Sequence, residues 1–127
     1  MEHYAVTSQN APASVGPYSP SIVWQRLVFV SGQTPMDPET GKAVVGDIVA
    51  QMARALANID ALLIEAGTSR EKVLKVNVYL AHMEDFSAMN TVYRDFFHSL
   101  PYPARTTVQT ATLPGGVGVE IDVMAYR

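Results

Sequence analysis

Only two stretches of this chain repeat apolar residues at helical spacing, whereas five or six others alternate in the manner of strands. Two helices cannot wrap a sheet of that size, but they can cover one of its faces. The expected fold class is therefore α+β: a two-layer sandwich, with a mixed β-sheet of five or six strands and two helices on one face. At 127 residues the chain is expected to form a single domain, 1–127, long enough to bury a real core.

The first helix is expected over 47–66. Asp47 is its N-cap, Gly67 its stop, and Ile48, Met52, Leu56, Ile59, Leu63 and Ala66 form its apolar stripe. Gln51, Arg54, Asn58 and Glu65 fall on the polar side. The second is expected over about 85–99, burying Phe86, Met89, Tyr93, Phe96, Phe97 and Leu100, with Asn90 on the flank of that stripe. Strands are expected at 3–7, 24–31 and 73–80, and on either side of the Gly-rich connection 113–118. That connection is read as a turn, because no Lys-Ser/Thr pair and no helix follow it, as a phosphate loop requires.

Composition removes several classes of function. There is no cysteine, so disulfides and thiolate chemistry are out, and a cytoplasmic location is compatible. The N-terminus lacks a basic region followed by an apolar run, and no apolar run approaches a membrane span. A net charge of −3 without a basic run favours neither nucleic acid nor an anionic membrane as partner. His3, His82 and His98 lack metal-ligand spacing, so no metal is expected.

Chemistry then falls to Arg, Glu, Tyr, Asn, Ser or backbone groups. The most suggestive pair is Arg105, in Pro103-Ala104-Arg105-Thr106-Thr107-Val108, and Glu120, in Val119-Glu120-Ile121. A guanidinium fork matches a carboxylate, and a carboxylate can hold a water or take a proton. By alternation, Arg105 shares a strand face with Thr107, and Glu120 shares one with Asp122 and Met124. All of these, with Lys75, Asn77 and Tyr79, are expected on the sheet face the helices leave open, as a partner-facing surface. Two readings stand: a site for a small acid, or a structural pair of charges. Tyr18, in the proline-stiffened loop Gly16-Pro17-Tyr18-Ser19-Pro20, walls a pocket or half-buries in a turn. Gly32 lets a ligand approach the backbone closely or serves a turn. Asn90 contacts a ligand, or backbone and water.

Four motifs in order resemble the Rid family, the reactive intermediate deaminases also called the YjgF family. They are Asn10-Ala11-Pro12 with Gly16-Pro17-Tyr18-Ser19; Ser31-Gly32-Gln33 with Pro35; Asp85-Phe86 with Asn90 and Tyr93; and Pro103-Ala104-Arg105 with Val119-Glu120-Ile121. The resemblance runs nearly end to end. It implies a chorismate-mutase-like fold, a homotrimer, and active sites in clefts between subunits, so that Arg105 and Glu120 need not be neighbours within one subunit and can meet across an interface instead. It also implies hydrolysis of a 2-enamino or 2-imino acid, such as 2-iminopropanoate or 2-iminobutanoate, to a 2-oxo acid and ammonium. In that scheme Arg105 grips the substrate carboxylate and Glu120 positions water and moves protons. Ser31, Gly32 and Thr107 orient the substrate, Tyr18 walls the site, and Asn90 bonds to substrate or its surroundings. The family often has Ser-x or Ser-Cys directly after the arginine. Here the positions are Thr106-Thr107, which keeps a small polar group, lacks the thiol and reshapes the pocket.

Other functions stand beside this one. One is a pathway-specific deaminase of an aminoacrylate or a larger unsaturated imino acid. Another is a non-enzymatic trimer that binds small molecules or acts as a holdase. A ribonuclease is opposed by the acidic balance and the absence of a plausible His pair.

Overall fold

Asp47 opens the first helix, its carboxylate accepting a hydrogen bond from the Ala50 amide at 3.0 Å. The chain leaves that helix through Gly67 at φ 84°, with Gly67 N–H donating to Ile64 O and Thr68 N–H to Leu63 O, both at 3.0 Å. This is a Schellman ending, in which the left-handed residue is glycine because a Cβ there is costly. In the computed structural model, which describes residues 2–127, the helices are α1 (Ile48–Glu65) and α2 (Phe86–Phe96). The strands are β1 (Tyr4–Val6), β2 (Ser21–Trp24), β3 (Leu27–Gln33), β4 (Val73–Leu80), β5 (Ala104–Gln109) and β6 (Val119–Tyr126). They form one sheet in the order β1-β2-β3-β6-β4-β5. Only β4 and β5, joined through α2, run parallel; the other neighbours are antiparallel.

Both helices cover the same face. Met52, Leu56, Ile59, Leu62 and Leu63 of α1 and Met89 of α2 are fully buried against Val28, Val76, Val78, Leu80, Val119, Ile121 and Ala125. Each such aliphatic side chain contributes about 1.5–3 kcal/mol relative to exposure. The α+β two-layer architecture is as expected, with six strands. No helix among the described residues is long and apolar enough to cross a membrane.

Several local expectations are corrected. The strand expected over 24–31 is the end of β2 and most of β3, with Gln25 and Arg26 forming the tip between paired Trp24 and Leu27. Gln25 sits at φ 56°, in the left-handed region where Gly or Asn normally marks a hairpin. Asn58 is fully buried, not on a polar face. Leu74 is half exposed, because the register slips between Val73 and Lys75 and Val73 takes the buried position. Phe86 and Leu100 lie outside the core, at 36% and 75% exposure: Phe86 opens α2 beside the Arg105 guanidinium, and Leu100 follows the end of α2 at Phe96.

The largest correction concerns the face of β5. Arg105 pairs with Val76 and Thr107 with Val78, so both lie on the helix-covered face. Glu120 and Asp122 pair with Tyr79 and Asn77 and lie on the open face. β4 separates the two strands, so Arg105 and Glu120 do not meet within one chain. The open face instead takes Thr106 and Val108 from β5.

Candidate active site

The chemistry-bearing residues gather into two groups, one on each face of the sheet. The first is built on β3, β6 and the loop that precedes β2. Between Val30 and Gln33 the register of β3 against β6 slips, so Ser31-Gly32 bulges from the ladder. Ser31 Oγ donates to Ser19 O at 2.6 Å, and Ser31 N–H donates to Pro20 O at 2.9 Å. Ser31 thus ties the proline-stiffened loop to the strand and sets Tyr18 at the edge of an open cleft of about 940 Å³. That cleft is lined by Ser31, Gly32, Glu120 and Asp122 together with the apolar Val15, Met36 and Val117.

Glu120 lies directly over Gly32. A Cβ on residue 32 would collide with Glu120 Oε2, so glycine is what admits the carboxyl group there. The Glu120 carboxylate makes no ion pair and accepts no hydrogen bond from the described residues. Burial, and then the negative charge of Asp122, raise its pKa above the ordinary glutamate value. Asp122 is itself anchored through both oxygens. Asn77 Nδ2 donates to its Oδ1 at 2.8 Å and Tyr79 Oη donates to its Oδ2 at 2.9 Å. Burial, together with that hydrogen bond and the charges of Asp122 and Glu120, pushes the Tyr79 hydroxyl up, so it stays a donor.

The second group surrounds Arg105. Its Nη1 donates to Asn90 Oδ1 at 2.7 Å, and its guanidinium lies 4.6 Å from the Tyr93 ring centre and 5.5 Å from that of Phe86. Asn90, Tyr93 and Phe86 all belong to α2, so the helix presents one amide and two aromatic faces to a single cation. No carboxylate pairs with Arg105; the ion pair found among the described residues is Arg70–Asp60. Asn90, Tyr93, Tyr102, Pro103 and Arg105 line a cavity of about 290 Å³. Burial raises the Tyr93 hydroxyl to about 12, with the Arg105 charge opposing, so it remains neutral. Tyr93 Oη and Thr107 Oγ1 are both buried without a hydrogen-bond partner. Unpaired buried polar atoms are rare, and here two adjoin an arginine with spare donors.

Of the residues expected at a site, Tyr18, Ser31, Gly32 and Glu120 thus come together on one side, and Asn90, Arg105 and Thr107 on the other. Sequence reasoning missed the Asp122–Asn77–Tyr79 network and the aromatic cradle of Arg105. It also missed Asn58, whose Nδ2 donates to Thr34 O at 3.2 Å and Met36 O at 2.9 Å, pinning the cleft wall after β3. The signal for Asp122 was its place two residues after Glu120 on one strand face. The signal for Asn58 was an amide within reach of the α1 stripe.

Residues 8–127 match the family model described as Endoribonuclease L-PSP, which covers the Rid and YjgF proteins. The chain belongs to the Rid family. A RutC family protein of Pyrococcus abyssi is 43% identical over 127 residues, covering 100% of this chain and 99% of the relative. A Capra hircus protein named 2-iminobutanoate/2-iminopropanoate deaminase is 42% identical over 122 residues, covering 96% of this chain and 88% of the relative. Among solved structures, Escherichia coli TdcF with bound serine superimposes with a TM-score of 0.93 at 36% identity, covering 98% of each chain. The two-layer architecture of this Rid chain is therefore that of solved members of the family.

Proposed function

We propose that this protein hydrolyses reactive 2-imino and 2-enamino acids to 2-oxo acids and ammonium, at sites where the Arg105 group of one subunit meets the Glu120 group of another in a homotrimer. One observation carries the proposal: the carboxylate grip and the proton acceptor lie on opposite sheet faces, and neither has an ion-pair partner among the described residues. Relatives about 40% identical that are named imine deaminases support the reaction class.

Arg105, steadied by Asn90 and cradled by Tyr93 and Phe86, takes the substrate carboxylate through two parallel hydrogen bonds. Thr107, two residues along the same strand face, and Tyr93, whose ring packs on the guanidinium, carry buried hydroxyls without a hydrogen-bond partner. Glu120 accepts a proton from water as the water oxygen bonds to the imine carbon. The resulting carbinolamine takes that proton back from Glu120 onto its nitrogen, the C–N bond breaks, and the hydroxyl proton passes to the departing ammonia, leaving the 2-oxo acid and ammonium. The iminium is already electrophilic, so the proposed route uses no metal or organic cofactor. Positioning and proton transfer suffice for a modest acceleration of a reaction that also runs unaided.

The direct test is a coupled assay in which 2-iminopropanoate and 2-iminobutanoate are generated in situ and their disappearance is followed. Accelerated release of 2-oxo acid is expected. Binding of the imines without turnover would overturn the proposal.

A further inference from the structure

On the open sheet face, the Asp122 carboxylate is held from two sides by Asn77 and Tyr79, one strand over from the residues that line the cleft. Two rungs of β6 place Glu120 and Asp122 on the same face, and both line the same cleft. A carboxylate tethered at both oxygens cannot swing away from its neighbour. We propose that Asp122 is a positioning residue for the deamination: with Asn77 and Tyr79 it forms a fixed anion beside Glu120 that strengthens Glu120 as the proton acceptor. The inference rests on the function proposed above, and it assigns to three residues a role in the site beyond the Arg105 and Glu120 pair.

The surroundings of Glu120 support this. Gly32 and Ser31 of β3 carry no charge, so nothing on that strand offsets Asp122. Tyr79 of β4 is neutral and engaged with Asp122. Tyr18 and Lys42 line the cleft without bonding to Glu120. Lys75 is turned to β5, where its Nζ donates to Thr106 Oγ1 at 2.8 Å. In the proposed assembly Arg105 of a second copy faces this site, and the bound substrate carboxylate pairs with it. A base with a higher pKa takes a proton from water more readily, provided it is still ionised at the working pH. Burial and the Asp122 charge both act in that direction on Glu120.

The test compares wild type, Asp122→Asn and Asp122→Glu. Asn preserves the shape: its Oδ1 still accepts from Asn77, and its Nδ2 donates to the Tyr79 oxygen. The readouts are the pH profile of kcat/KM and a ¹³C NMR titration of the Glu120 carboxyl, assigned by its loss in Glu120→Gln. In Asp122→Asn the acid limb of the profile and the Glu120 midpoint should both move to lower pH. The plateau should fall about three- to tenfold, a small part of what general acid–base catalysis supplies. Asp122→Glu should return both toward wild type. A Glu120 midpoint in Asp122→Asn that stays at the wild-type pH overturns the inference, and so does an unmoved acid limb. Wild-type activity in Glu120→Gln would instead sink the proton-transfer role of Glu120. The NMR midpoint would still report whether Asp122 acts on Glu120.

Discussion

At Gly32 the backbone of β3 passes beneath the Glu120 carboxyl with no room for a methyl group. Gly32→Ala must displace that carboxylate, and the misplacement should lower kcat while the fold survives, as steady-state kinetics beside a thermal melt would show. Glu120 also carries a cost in stability. Its pKa is raised in the folded state, so ionising it opposes folding: the group favours the fold fully below its unfolded pKa and loses that as pH rises through its folded pKa. Glu120→Gln should therefore melt higher than wild type at neutral pH, and the gap should close as pH falls through the ordinary carboxylate range. The same variant should turn over imino acid about 10²–10⁴-fold more slowly. Arg105 is the complementary case. Leaving a substrate carboxylate unpaired in a partly dry cleft costs about 3–5 kcal/mol, which is roughly two to three and a half decades in kcat/KM. Arg105→Ala should lose that much, and Arg105→Lys should recover little, because an ammonium lacks the planar two-point grip. An Arg105→Ala enzyme that keeps most of its activity on 2-iminobutanoate would remove the carboxylate anchor from the scheme.

Among the elements, α1, β6 and β4 beyond its slip at Leu74 were the most readable, because a caps-and-stripe pattern and alternation each follow from burying one face. β5 was not. Its residues Arg105, Thr106, Thr107, Val108 and Gln109 have no apolar side, so alternation says which residues share a face but not which face is covered. Register decides that. Pairing Val76 with Arg105 turns the arginine toward α2, whose Asn90 and Tyr93 then receive it. The β2–β3 hairpin was hidden for a different reason: its tip, Gln25-Arg26, lacks the Gly or Asn that a positive φ usually demands. Asn58 was misplaced because an amide scores as polar whether it faces solvent or a pair of loop carbonyls. It sits under the turn leading to Met36, accepts from Arg54 Nη2 at 2.8 Å and bonds to Thr34 O and Met36 O. Asn58→Ala leaves two carbonyls unpaired in a buried place. Urea unfolding should show a loss of about 1–3 kcal/mol. KM should rise as well, since Met36 walls the cleft.

For the molecule as a whole, the open sheet face has the composition of a covered surface. Trp24, Leu27, Phe29, Met124 and Val108 lie on it, with Phe29 and Met124 40% and 41% exposed and directly paired across β3 and β6. Patches of this kind mark association surfaces. In the proposed homotrimer this face closes against neighbours, and each site draws its arginine and its glutamate from different chains. That arrangement makes a prediction no single-chain site can satisfy. Arg105→Ala subunits lack the anchor and Glu120→Gln subunits lack the proton acceptor, so each homotrimer should be nearly inactive. Unfolded together and refolded, the two should form mixed trimers in which some interfaces join an intact Arg105 to an intact Glu120. With a cyclic arrangement and random mixing, roughly one site in four is rebuilt. Activity should return to about that fraction of wild type, and only after subunit exchange. Light scattering on each preparation tracks the assembly state. Mixed samples that assemble fully yet remain inactive would show that the two groups do not share a site. A stable monomer with wild-type turnover would show that one chain carries the whole reaction.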